Sequence, residues 1–162
     1  EAILESFRYG QHNILSKLIG SARVEKVLFA ATKADHIPVQ QREHMSALLR
    51  NMAALPVLEA RGSNADIDVT TLASVASTVE GTQEIDGNRV EVVVGRPVGG
   101  GKQAKFLSGE VPIRPPRPDA WGKPFLDIPV FEPPLIDPAP VDGIPHINLD
   151  LALDYLIGDR LR

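Results

Sequence analysis

A five-residue apolar run, Val27–Ala31, stops abruptly at the polar sequence Thr-Lys-Ala-Asp, and this junction constrains the fold more than any other feature of the chain. The run is too short for a typical helix and is typical of a strand buried on both faces of a sheet. Pro38 disfavours helix at the residue before it, so the polar residues are predicted to form a loop. Ligands of open α/β sheets bind beyond the carboxyl ends of the strands, where Thr32, Lys33 and Asp35 are expected to lie.

The residue types in this loop suit the recognition of a guanine base. Guanine presents two adjacent donors, its ring N1–H and its 2-amino group, and an ionised Asp35 can accept both. Adenine has a lone pair at N1 and no 2-amino group, and such a mismatch of buried polar groups costs about 1–3 kcal/mol. Lys33 can lay its aliphatic stem over the base, and the Thr32 hydroxyl can tie this loop to a neighbouring one. The alternative, from the residues alone, is a solvated loop without a ligand.

Two longer strings of sequence carry a resemblance to a known family. Thr32-Lys33-Ala34-Asp35 after a buried strand resembles the [Asn/Thr]-Lys-x-Asp base-specificity motif of Ras-like P-loop GTPases. Residues 26–38 (KVLFAATKADHIP) and 145–161 (PHINLDLALDYLIGDRL) resemble the YcjX-like family of bacterial P-loop nucleotide-binding proteins associated with stress responses. The resemblance covers nearly the whole chain and implies that it is the C-terminal part of a longer protein. It implies GTP or GDP as the ligand, with Mg²⁺ held by residues upstream.

A second base-contacting loop is expected at the end of the next predicted strand, residues 69–77, which is rich in β-branched and small residues. Ras-like GTPases carry a Ser-Ala-Lys-like sequence at this place, and the best match here is Val75, Ala76 and Ser77. The resemblance gives Ala76 a backbone N–H that donates to the guanine 6-oxo group. The residues beside Ala76 depart from that pattern, and a strand end without a ligand is the alternative.

Hydrophobic periodicity and turn residues predict a mixed α/β chain in three parts. The resemblance implies that residues 1–78 form the C-terminal half of a nucleotide-binding Ras-like domain, and the apolar spacing predicts helices at about 2–19 and 39–54 around the first strand. Residues 148–162 are expected to form a helix that packs back, with Asn148 as its N-cap. Between them, residues 79–147 are expected to form an extension that contains a hairpin (79–85 and 89–94) around Asp86-Gly87, a glycine-rich loop (95–103), a strand (105–113) and an extended proline-dense tract (112–145).

The glycine-rich loop does not match a phosphate-binding loop. The P-loop pattern is Gly-x4-Gly-Lys-[Ser/Thr], followed by a helix whose N-terminus faces the phosphates. Counting back from Lys102 places Arg96 at the first glycine and Gln103 at the hydroxyl position. A strand is predicted after the loop, so we interpret it as a connection between strands.

Composition excludes several other classes of function. The net charge of −4 gives no electrostatic reason to expect nucleic-acid binding. The chain contains no run of 18 apolar residues, so no membrane-spanning helix is predicted and we do not expect an integral membrane protein. The chain has no cysteine, which agrees with a cytoplasmic setting. The four histidines show no metal-binding spacing, and no catalytic motif is recognisable.

We therefore expect a chain that supplies the base-specificity half of a GTPase and has no hydrolytic activity by itself. A phosphate cradle, a Mg²⁺ site and a group that positions the attacking water are all needed for hydrolysis, and none is recognisable. The first alternative is a protein-interaction module in which residues 79–147, including Trp121, bind an unidentified protein and the nucleotide site is vestigial. The second is a site for an adenine nucleotide, which conflicts with Asp35 as an acceptor.

Overall fold

A computed structural model describes residues 25–53, 66–117, 119, 129–136 and 143–161. Within them the fold is a mixed α/β arrangement of one parallel pair of strands, one antiparallel sheet and two α-helices. The predicted helix at 2–19 and Trp121 lie outside the described residues. No helix in the described ranges is long and apolar enough to cross a membrane.

The parallel pair consists of β1 (Lys26–Ala31) and β2 (Asp66–Thr71), aligned from Lys26 opposite Asp66 to Ala31 opposite Thr71. The predicted strand β1 is confirmed. The second strand begins and ends earlier than the predicted range 69–77. It ends early because Ala73 exchanges backbone hydrogen bonds with Ile147 and not with β1. The chain therefore leaves the sheet near Leu72, and Val75, Ala76 and Ser77 lie in a connecting loop instead of a strand end.

Helix α1 (Val39–Met52) follows the loop after β1, as its apolar spacing predicts. Its inner side contributes Met45 and Leu48 to a small core with Ile37 and Val111. Ile37 and Val111 are each 1% exposed, so this core joins the loop before α1 to a segment far along the chain.

The antiparallel sheet has the order β3 (Thr78–Ile85), β4 (Asn88–Gly95), β5 (Ala104–Phe106). The predicted hairpin is confirmed, and Asp86 and Gly87 both have positive φ, as a two-residue type I′ turn requires. The glycine-rich segment connects β4 with β5, as predicted, so the element directly after it is a strand and not a helix.

Strand β5 is much shorter than the predicted range 105–113. After β5, the backbone of Gly109 and Val111 forms hydrogen bonds with the side chain of Gln41 in α1 and not with a neighbouring strand. The Gln41 amide donates to the Gly109 carbonyl at 2.9 Å, and its side-chain oxygen accepts from the Val111 N–H at 2.7 Å. Residues 109–111 are therefore bound to a helix instead of to β4.

Helix α2 (Leu149–Ile157) and a following 3₁₀ turn (Gly158–Arg160) end the described chain. The helix forms where predicted, with Asn148 at the N-cap position, but the Asn148 side chain makes no capping hydrogen bond. Its amide instead donates to the Thr71 carbonyl at 3.0 Å. This contact ties the start of α2 to the carboxyl end of β2.

Candidate functional site

Two loops meet at the carboxyl ends of β1 and β2 because parallel strands end at the same edge of a sheet. The Ala34 N–H donates to the Leu72 carbonyl at 3.1 Å, which joins the loop after β1 to the loop after β2. Between them lies a cleft of about 270 Å³. The cleft is lined by Thr32, Lys33, Asp35, His36, Leu72, Ala73, Ser74, Val75, Ser77, Val130 and Phe131.

Asp35 is the most firmly placed polar residue of the cleft. It is 4% exposed and lies in a 3₁₀ turn, Ala34–His36. Its carboxylate oxygen Oδ2 accepts the Ser77 N–H at 2.9 Å, and its backbone carbonyl accepts the Thr78 hydroxyl. The second carboxylate oxygen, Oδ1, has no hydrogen-bond partner among the described residues. The carboxylate is thus held through one oxygen and has acceptor capacity left for a ligand.

Thr32 and Lys33 are exposed and line the cleft beside Asp35. Lys33 has a φ of 61°, in the left-handed region that residues other than glycine rarely adopt. This conformation reverses the chain between the strand and the 3₁₀ turn. It separates the buried Asp35 from the exposed lysine.

The second predicted loop is brought to the same cleft, with one exception. Val75 and Ser77 line the cleft, and the Ser77 N–H holds Asp35. Ala76 does not line it, and its backbone N–H donates to the Pro145 carbonyl at 2.7 Å. The backbone N–H groups of Ser74 and Val75, by contrast, have no hydrogen-bond partner within the ranges that the structure describes. They are the donors of this loop that remain for a ligand.

His36 forms part of the wall between Asp35 and the far side of the cleft. Its ring meets Phe131 edge to face, with 5.0 Å between the ring centroids. Burial lowers the pKa of His36 below its usual 6.5; the Asp35 carboxylate, 3.9 Å from Nε2, acts in the opposite direction, and the Lys33 ammonium lowers the pKa further. The net direction favours the neutral imidazole, whose ring packs against Phe131.

An ion pair between α1 and β3 holds residues 32–35, the motif loop, from outside. The Arg42 guanidinium donates through Nε to the Ala34 carbonyl at 3.1 Å and forms an ion pair with Glu80 of β3. The same Glu80 carboxylate accepts the Val39 N–H at 3.3 Å, at the N-terminus of α1. A carboxylate at this position also interacts favourably with the helix dipole.

The sequence predicted the polar residues of the cleft and missed the residues that complete it. Val130 and Phe131 come from the proline-dense tract, whose extended chain carries no periodic signal that would place it here. Ser74 lies next to the predicted loop, and only the early end of β2 shows its position. Within the described residues, no group of three or more acidic or histidine side chains is placed to hold a metal ion.

Comparison with known proteins gives a consistent result. A sequence model of the YcjX-like family (DUF463) matches residues 1–161. The "Ras-like GTPase YcjX" of Escherichia coli K12 is 36% identical over 161 residues, which cover 99% of this chain and 34% of the relative. The protein of the same name from Shewanella oneidensis is 36% identical over 163 residues, 99% of this chain and 33% of the relative. The chain thus spans about a third of the length of these curated relatives.

Proposed function

The chain belongs to the YcjX-like family, and we propose that it binds guanine nucleotides by supplying the base-recognition part of their site. The phosphates and Mg²⁺ would be held by other parts of a longer protein, since the described residues offer no phosphate loop and no cluster of metal ligands. We place this function in the cytoplasm and connect it with stress responses, following the resemblance of the sequence.

The arrangement of Asp35 is the observation that carries this proposal. The Ser77 N–H fixes one carboxylate oxygen, so the other is presented with a defined orientation. A guanine base brings two neighbouring N–H donors, and a carboxylate forms charge-assisted hydrogen bonds with both. An adenine base would bring an acceptor to the same position and leave Asp35 unsatisfied.

The backbone of the second loop supplies the complementary contact. The guanine 6-oxo group needs a donor, and the N–H groups of Ser74 and Val75 are the free donors of the loop among the described residues. This assignment moves the expected contact two residues or one residue upstream of Ala76, whose N–H is bound to Pro145. Lys33 would cover one face of the base with its aliphatic stem.

A protein-interaction role for residues 79–147 is a second candidate. Several apolar side chains of this region are exposed, among them Leu135, which is fully exposed, and Val98, which is 60% exposed. A contiguous patch of exposed apolar side chains would mark an interaction surface. This role is compatible with nucleotide binding and becomes the main function only if the cleft has no base preference.

Competition binding tests the proposal. The longest natural polypeptide that contains this chain should bind GDP more tightly than ADP or XDP. Asp35→Asn replaces an acceptor with a donor, so its preference should move to XDP, whose base has a carbonyl in place of the 2-amino group. Asp86→Asn is the matched control, because it lies in the exposed hairpin turn and Asn-Gly supports the same turn type.

Two outcomes would contradict the proposal. Equal affinity for the three diphosphates would remove the base-recognition function and leave the interaction role as the main function. A preference for ADP that Asp35→Asn does not change would show that Asp35 does not contact the base.

A further inference from the structure

The nucleotide cleft has a wall that comes from the proline-dense tract, a region not expected to contribute to it. Residues 130–132 run antiparallel to residues 96–98. The Val98 N–H donates to the Val130 carbonyl, and the Glu132 N–H donates to the Arg96 carbonyl, each at 2.8 Å. An ion pair between the side chains of Arg96 and Glu132, 3.8 Å apart, lies at the same place. The segment is therefore fixed on both sides of Phe131.

Phe131 anchors this segment to the body of the protein. Its side chain is 5% exposed and packs edge to face against His36 on one side and Phe106 of β5 on the other, with centroid separations of 5.0 and 5.2 Å. Gly95 makes room for the ring, because a Cβ at that position would lie 2.6 Å from Phe131 Cδ1. A ring held in this way allows its neighbour Val130 little positional freedom.

Val130 lines the cleft, and 64% of its surface is exposed. The polar residues Thr32, Asp35 and Ser77 line the same cleft. A purine nucleoside has a polar edge and flat apolar faces, so a site that reads the edge also needs an apolar surface for a face. Among the described residues of the cleft, Val130 provides such a surface from outside the two loops.

We propose that Val130, positioned by Phe131, packs against the bound guanine nucleoside, so that the proline-dense tract forms part of the nucleotide site. This inference rests on the proposed function. It makes the tract a specificity element of the site in addition to any interaction surface. A nucleotide that binds only when residues 130–132 are paired with residues 96–98 then stabilises that pairing.

A pair of matched valines tests the proposal. In the longest natural polypeptide that contains the chain, Val130→Glu should weaken GDP binding by about tenfold or more, because a carboxylate would be desolvated against the base. Val98→Glu is the control, since Val98 is 60% exposed, lies beside the same segment and does not line the cleft. It should change the affinity less than twofold.

Thiol protection gives a second measurement that does not depend on a loss of binding. The chain has no cysteine, so a peptide alkylated after Val130→Cys or Val98→Cys is identified by its mass. Saturating GDP should slow alkylation at position 130 several-fold and leave position 98 unchanged. Equal GDP affinity of Val130→Glu and wild type, together with no protection at position 130, would overturn the proposal.

The design separates this inference from the function on which it depends. If Asp35→Asn moves the preference to XDP while both Val130 measurements match the control, then Asp35 contacts the base and the proposed contact of Val130 with the nucleoside is wrong. If the wild-type protein shows no guanine preference, the proposed function is wrong, and the proposed role of Val130 is wrong with it.

Discussion

The parallel pair β1–β2 and the antiparallel sheet β3–β4–β5 differ in how they use their polar residues. In the parallel pair, both strands end at one edge, so loops about forty residues apart in sequence form one cleft. In the antiparallel sheet, a two-residue turn joins β3 to β4. Two polar side chains of β3 contact the other region: Thr78 donates to the Asp35 carbonyl, and Glu80 pairs with Arg42. The cleft thus lies at the ends of the parallel strands, and side chains of the antiparallel sheet hold one of its loops in place.

The two regions also differ in how they can form. The hairpin pairs Ile85 with Asn88 across its turn, whereas the parallel pair joins Ala31 to Thr71 across a long connection that contains α1. Long-range pairing has to overcome a larger loss of chain entropy before its contacts form. A preformed hairpin that presents Thr78 and Glu80 would supply some of the contacts that hold the motif loop.

The largest effect on the contact between the antiparallel sheet and the loop after β1 is expected from Thr78→Val. The substitution keeps the shape of the side chain and removes the hydroxyl that donates to the buried Asp35 carbonyl. Leaving that carbonyl unsatisfied should lower the free energy of unfolding by about 1–3 kcal/mol. Urea unfolding of the longest natural polypeptide measures this loss, and GDP affinity should fall with it because Asp35 loses a contact.

Thr82→Val is the matched control for Thr78→Val. Thr82 lies on the same strand, and its hydroxyl makes no hydrogen bond among the described residues. It should therefore leave stability and GDP affinity close to the wild-type values. Equal losses in the two variants would show that the hydroxyl contact between β3 and the motif loop contributes nothing.

A smaller effect, confined to the antiparallel sheet, is expected from Gly87→Ala. Gly87 has a φ of 75° and no atom within 4 Å of a Cβ added to it, so the substitution introduces backbone strain without a steric clash. The strain should cost about 1 kcal/mol in unfolding free energy. GDP affinity should not change, because the turn does not line the cleft.

Gly101→Ala is the matched control for Gly87→Ala. Its φ is not positive, and an added Cβ would meet Pro97 Cδ at 3.5 Å, an ordinary contact. Its unfolding free energy should stay at the wild-type value. A fall in GDP affinity in Gly87→Ala would show that the hairpin turn and the cleft are coupled, and the two regions would then not be separable.

Local sequence signals predicted the elements whose geometry is set by neighbouring residues. The apolar run gave β1, the spacing of Met45 and Leu48 gave α1, and Asp86-Gly87 gave the hairpin. The polar residues 32–35 were predicted to follow the strand, and the structure places them at its end. Each of these predictions depends on a few consecutive residues.

The predictions that failed concern backbone groups whose partners lie far along the chain. Strand β2 ends early because Ala73 pairs with Ile147. Strand β5 ends early because Gln41 of α1 takes over the hydrogen bonds. Such pairings depend on long-range packing, which single-sequence patterns do not encode, and the same reason explains why Val130 was missed.

The smallest effect is expected from acid, at the contact between the motif loop and the proline-dense tract. His36 lies between Asp35 of the motif loop and Phe131 of the proline-dense tract. Its pKa is lower in the folded protein than in the unfolded chain, chiefly because of burial and with a smaller contribution from Lys33, which Asp35 partly offsets. The unfolded chain therefore takes up a proton first as the pH falls below about 6.5.

The stability associated with a neutral His36 is thus complete above pH 6.5 and is lost as the pH falls through the lower, folded pKa. His36→Phe keeps an aromatic ring against Phe131 and cannot be protonated, so it should reduce the slope of unfolding free energy between pH 5 and 7. His146→Phe, which also removes one histidine, is the control and should leave more of the slope in place. The same reduction in both variants would mean that the pH dependence does not arise where the motif loop meets the tract, and that this contact carries no proton-linked stability.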